Sequence, residues 1–310
     1  MRREIASLKE LGDQVVDMIE YEEFEVAVPG GRMAVGRWGN GAEVVWGGHG
    51  LTSNHLSFMA LARALGPNFT LVAPDLRGRA GSAALPAPFG LSAHAEDVVA
   101  VLDHLGLDRA VLVGHALGGY VAAAVAAHYP ERVRALLVLD GGLPFQPPPE
   151  PGVDVAAQAL AGIQPALDRL DLTFDSVEDY LDLWRRNRAV GPYWNDVLDA
   201  TYRRDLKGPA GELRPSSVRE AVIADCIDQV GGSFATADGL KHPVTLAWAD
   251  RNLMDVSPGF YTETIVRGWL DRLPQLRAVC ADSLNHQTLL MTDDGARLVS
   301  ELLNELLADL

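Results

Sequence analysis

The residues Gly114-His115-Ala116-Leu117-Gly118-Gly119 follow the apolar run Arg109-Ala110-Val111-Leu112-Val113. Glycines on both sides of one central position let a chain turn sharply from strand into helix and lift a single side chain above a sheet, as in the nucleophile pattern G-x-S-x-G. The central residue here is Ala116, and a methyl group attacks nothing. A serine in its place would lose its proton to a histidine while attacking a carbonyl, giving an acyl-enzyme that water releases. The chain as written is therefore expected to be inactive. Its alanine reads as the replacement of a serine, engineered in the leading interpretation and natural in the other.

Three more motifs stand at matching distances. His49-Gly50-Leu51-Thr52 follows the apolar strand Val44-Val45-Trp46, Ala73-Pro74-Asp75-Leu76-Arg77-Gly78 follows the next strand, and Asn285-His286 sits between the last strand and the last helix. On these motifs residues 23–310 resemble the α/β-hydrolase family. The resemblance implies a mostly parallel eight-stranded sheet flanked by helices, with an inserted helical cap. It also implies that His286 is the catalytic base and that His49 orients an oxyanion loop. His115, in the variable position of the elbow, is expected to pack beside it.

The acid departs from the usual pattern. Laying Gly-x-x-Asp on the strand near 244–249 puts Ala249 on the glycine and Asn252 on the aspartate, and an amide does not stabilise an imidazolium by charge. Some relatives place the acid after strand six, which here ends Leu137-Val138-Leu139-Asp140-Gly141-Gly142. Asp140 is the preferred acid, Asp250 the alternative and Asp255 a third. The order 116, 140, 286 keeps the nucleophile, acid, histidine sequence of this fold. Read blandly, Asp140 only caps the turn into Gly141-Gly142.

Fixed backbone donors are needed for a tetrahedral oxyanion, and the N–H groups of Leu51 and Leu117 are the candidates, the second at a helix start where the dipole favours negative charge. Walls of the substrate pocket are sought in Phe145, Trp184, Tyr193, Trp194 and Phe234 beside His49 and His115, although such aromatics serve equally as cap core. The expected substrate is a small to moderately large apolar ester or lactone. No cofactor or metal is implied.

Two other classes remain open. An aspartate nucleophile would make the chain an epoxide hydrolase or dehalogenase relative, but Leu117 stands where dehalogenases carry tryptophan, and Thr52 where epoxide hydrolases carry proline. Tyr180, Tyr193 and Tyr202 in the cap keep that reading alive. A ligand-binding protein on the same fold would need no nucleophile at all.

With 310 residues and 48% apolar content the chain suits one catalytic domain with an insertion, divided as core 1–143, cap 144–240 and core 241–310. The net charge of −16 speaks against nucleic acid, whose binding rests on basic groups. No apolar run is long enough to span a bilayer, and the N-terminus has no apolar signal region, so a cytoplasmic location is expected. Cys226 and Cys280 read as two reduced thiols. Oligomerisation is open.

Alternating strand and helix patterns predict the supporting elements. An acidic helix is expected over 1–20, and a hairpin of 25–28 with 33–37. Strands follow at 43–47, 70–73, 109–113, 134–139, 244–249 and 277–281. Helices are expected at 55–65, 92–105, 118–128, 261–271 and 287–308, with a cap of helices alone.

Overall fold

The computed structural model describes residues 20–147, 150 and 152–310. The helix expected over 1–20 lies outside them except for Glu20. Strands β1 (Tyr21–Val28) and β2 (Gly31–Trp38) pair antiparallel about the expected turn, each longer than predicted. Then come β3 (Glu43–Gly48), α1 (Met59–Leu65), β4 (Phe69–Pro74), α2 (Leu91–His104), β5 (Ala110–His115), α3 (Leu117–His128) and β6 (Val133–Leu139).

The inserted segment carries α4 (Val155–Leu170), α5 (Val177–Arg185), α6 (Asp196–Arg204), α7 (Arg219–Gly231) and α8 (Ser233–Asp238). It is not purely helical as expected. Two-residue strands β7 (Leu206–Lys207) and β8 (Arg214–Pro215) pair antiparallel within it, too short for any alternation of apolar residues to betray them. The core resumes with β9 (Val244–Arg251), α9 (Glu263–Arg272), β10 (Leu276–Asn285), α10 (Thr288–Met291) and α11 (Asp293–Ala308). The last helix is thus two. Thr292 is extended between them, and its hydroxyl caps α11 by accepting from the Gly295 N–H.

Eight strands form one sheet in the order β1-β2-β4-β3-β5-β6-β9-β10, parallel from β4 to β10. The central strands are apolar throughout because both faces are covered. Leu112, Leu136 and Val138 pack with Val121 of α3 and Trp269 of α9, whereas Val111, Val113, Leu137 and Leu139 pack with Leu61 of α1 and Leu302 of α11. That division leaves the carboxyl ends of β5 and β6 side by side, the edge where ligands of open α/β sheets bind.

Buried charges tie the insertion to the core. Asp225 of α7 pairs with Arg79 at 2.5 Å and with His94 at 3.0 Å, all three fully buried. Burial pulls the Asp225 carboxyl up, yet Arg79 and His94 outweigh it and hold it down at about 2. Arg204 of α6 reaches Asp75 and Glu23. Cys226 and Cys280 are both free, as expected.

Candidate active site

At the end of β5 the chain turns at Ala116 with φ 51° and ψ −116°, a conformation that costs a non-glycine residue about 1–3 kcal/mol. Neighbours enforce it. The Ala116 N–H donates to Leu139 O at 3.0 Å, and the Gly118 N–H donates to His49 O at 3.0 Å. A Cβ on Gly118 would stand 1.9 Å from Gly48 O, and one on Gly141 would stand 2.3 Å from Ala116 O. The methyl of Ala116 itself stays partly exposed.

Asp140 follows at the end of β6, also at positive φ, 46°. Its N–H donates to Ala247 O at 2.8 Å, and its Oδ1 accepts from the Ala249 N–H at 3.1 Å. Oδ2 faces His286 Nδ1 at 2.7 Å. The carboxylate is buried and both of its oxygens are engaged, so it has one orientation.

His286 is held from four sides. Its N–H donates to Arg251 O at 3.1 Å, its carbonyl accepts from His115 Nε2 at 2.7 Å, Asp140 takes Nδ1, and Phe260 meets the ring edge-on at 5.1 Å. Among the described residues Nε2 has no hydrogen-bond partner. Asn285 anchors the same loop, donating to Ala189 O in the inserted segment and to Asp255.

The other carboxylates go elsewhere. Asp250 accepts from Ser257 Oγ at 3.3 Å on the surface, and no bond joins it to His286. Asp255 pairs with Arg251 and braces Asn285. Asn252, at the usual acid position, builds the loop by accepting from the Met254 and Val256 N–H groups.

His49 is fully buried; its Nδ1 donates to Gly50 O at 2.8 Å and its Nε2 accepts from the Leu76 N–H at 2.9 Å. Burial pulls its pKa from 6.5 down to about 3, so it is a neutral brace for the Gly50–Thr52 turn. Arg79 Nε donates to Leu51 O at 3.0 Å, and Arg169 Nη2 to Thr52 Oγ1 at 2.8 Å, so the turn is gripped at successive residues. Among the described residues no acceptor takes the N–H of Leu51 or Leu117.

The aromatic residues divide. Phe145 stacks on Phe260 at 4.9 Å, and through it borders His286. Trp184 stacks on Tyr202 at 4.1 Å, with the Arg169 guanidinium over its ring 5.0 Å from the centroid. Trp194 lies against Tyr202 under Arg185, and Phe234 lies against Trp269 under Arg272, both as packing of the insertion. Tyr193 bonds Asp255, and Tyr180 bonds Asp205, so neither hydroxyl is free. Phe260, Arg79 and Arg169 were missed by sequence reasoning. A lone phenylalanine after Pro258-Gly259 carries no signal, and an isolated arginine, whether in a loop like Arg79 or on a helix like Arg169, reads as a solvated charge.

A carboxylate–imidazole pair, a strained turn at the end of a parallel strand and unclaimed N–H groups thus stand together at the carboxyl edge of the sheet. The chain belongs to the alpha/beta hydrolase fold family, whose model matches residues 48–254. It is 35% identical over 208 residues to the 2-(acetamidomethylene)succinate hydrolase of Mesorhizobium japonicum, covering 65% of this chain and 64% of that protein. It is 37% identical over 103 residues to the putative carbamate hydrolase RutD of Caulobacter segnis, 33% of this chain and 39% of that one. The chain thus spans less than two thirds of either curated relative. The crystal structure of E-2-(acetamidomethylene)succinate hydrolase superposes with a TM-score of 0.74 at 19% identity, over 93% of this chain and 100% of that one. The likeness to that structure is one of fold. Among the described residues, no helix is long and apolar enough to cross a membrane.

Proposed function

We propose that this site is the machinery of a carboxylic ester or lactone hydrolase that works through an acyl-enzyme when serine occupies position 116. In this reading Asp140 orients His286, His286 moves the proton, and Leu51 and Leu117 N–H groups receive the oxyanion. The contact that carries it is the 2.7 Å bond between His286 Nδ1 and Asp140 Oδ2 beside the turn at Ala116. Alanine closes the acyl-enzyme route and leaves substrate binding intact. The substrate is a small, apolar acyl compound held between the sheet edge and a cap running over 144–240, in a cytoplasmic protein.

The test is Ala116→Ser assayed on p-nitrophenyl acyl esters and a lactone panel. Turnover with an initial burst supports the reading, and no turnover on any of them overturns it.

A second reading is favoured by Arg169, a nearly buried guanidinium bonded to the Thr52 hydroxyl next to Leu51. It would suit an acyl group with an acidic arm, split at an amide or carbamate bond, the classes that the names of the two curated relatives describe. Adding an acidic amide to the same panel separates the two.

A further inference from the structure

We infer that the chain with Ala116 is itself a hydrolase of activated acyl groups, in which His286 takes its proton from water instead of from a side chain. The inference rests on the acyl-transfer reading of the site above. It replaces the inactivity expected from the alanine alone.

The base is complete without a serine. Asp140 is locked by the Ala249 N–H on one oxygen and holds His286 Nδ1 with the other, which fixes the ring and leaves the lone pair on Nε2. His115 and Arg251 fix the main chain of residue 286, and Phe260 bars the ring from swinging. Among the described residues nothing in the protein occupies Nε2. An imidazole held in one tautomer, with its second nitrogen unclaimed and its ring 4.6 Å from that of His115, the neighbour of the partly exposed Ala116, is a general base awaiting an oxygen acid.

Water is that acid. A water oxygen offers the same O–H that a serine side chain would, and CH3 in place of CH2OH removes one oxygen from the turn. Ala116 keeps the strained φ of 51°, locked by the close approach of Gly141 and by the Leu139 carbonyl. Among the described residues the Leu51 and Leu117 N–H groups stay unclaimed, and a Cβ built on Gly50, next to Leu51, would stand 3.6 Å from the Ala116 methyl.

The step balances. The water oxygen bonds to the acyl carbon while its proton passes to His286 Nε2, and the carbonyl electron pair moves onto oxygen, facing the two N–H groups. The carbonyl then re-forms, the bond to the leaving oxygen breaks, and Nε2 returns the proton to that oxygen. A carboxylic acid and an alcohol leave, and the protein is unchanged. Because water is a weaker nucleophile than an activated serine, the reaction is confined to esters with good leaving groups, aryl esters above all.

The test uses the full chain and p-nitrophenyl acetate, with His286→Asn prepared identically. The expected result is saturable hydrolysis about 10²–10⁴ faster than that of His286→Asn, the usual contribution of a positioned general base. Progress curves are linear from the start, and intact-mass spectra show no acyl adduct. His286→Asn keeps only the rate that the oxyanion donors and binding supply, with its melting transition retained. Equal rates for the chain and His286→Asn overturn the inference, as does an acyl adduct on the Ala116 chain. If Ala116→Ser turns over with a burst while the Ala116 chain equals His286→Asn, only this inference fails. If neither turns over, the acyl-transfer reading fails with it.

Discussion

His115 Nε2 donates to the main-chain oxygen of His286 at 2.7 Å, across 171 positions of sequence. A carbonyl only accepts, so Nε2 carries the proton and Nδ1 is bare, 3.4 Å from the Cβ position of Gly50. Burial, and then the neighbouring His286, push the pKa of His115 well below its ordinary value, and it stays neutral. One imidazole therefore joins the turn at 116 to the loop that carries the base.

Replacing that donor while keeping an aromatic ring isolates its role. In the Ala116→Ser background, His115→Phe is expected to lower kcat about tenfold, the equivalent of one hydrogen bond at roughly 1.4 kcal/mol, with KM little changed. Steady-state kinetics on an aryl ester read the split. A change in KM alone would place His115 in substrate contact instead.

The two candidate acids are separated in the same background. Asp140→Asn is expected to lose about 10⁴ in kcat, the scale seen when a triad acid becomes an amide. Asp250→Asn, whose carboxylate accepts from Ser257 and, among the described residues, from no other side chain, is expected to stay within about twofold of the parent. The reverse ranking would move the acid to the end of β9.

Acid should weaken the fold well above the carboxylate range. His49 stays neutral down to about pH 3 in the native protein but takes a proton near 6.5 when unfolded. Between those values the unfolded chain binds more protons, so its stabilising contribution, complete above pH 6.5, is lost as pH falls toward 3. The slope is about 1.4 kcal/mol per pH unit for His49, and His115 adds to it with the same sign. Urea unfolding at pH 7.5, 6 and 5 measures the slope, and His49→Asn should flatten it by about one such increment.

Close packing at the elbow predicts a sharp contrast between two glycines. Gly118→Ala would drive a Cβ onto Gly48 O and should destabilise by about 3 kcal/mol or more. Gly162→Ala, on the exposed side of α4 with no atom within 4 Å, should stabilise by about 1 kcal/mol. Thermal unfolding of the pair settles it.

Asp225→Asn leaves the fully buried Arg79 without its counter-charge. The expected loss is about 3–5 kcal/mol of stability, measured by denaturant unfolding. Because Arg79 also holds Leu51 O, kcat of the Ala116→Ser protein should fall as well.

Much of the architecture is written locally. Continuous apolar runs such as 110–113 and 135–139 declare strands buried on both faces, and the glycine spacing around Ala116 declares a turn tight enough for Gly48 and Gly141 to touch it. Asn285-His286 and the aspartate closing β6 were equally visible. The break at Thr292 and the hairpin of β7 with β8 were not, because one extended residue or a two-residue strand leaves no period to detect.

By itself the amino-acid order determined the fold, the place of the turn and the absence of a hydroxyl on it, since backbone preferences and hydrophobic periodicity act over a few residues. Only the tertiary structure decided which carboxylate meets His286, and that Phe260, Arg79 and Arg169 crowd the same place. Those contacts join positions as far apart as 140 and 286. Their geometry depends on a positive φ at Asp140 and on loops set by the packing of β6 against β9, which no stretch of the chain carries alone.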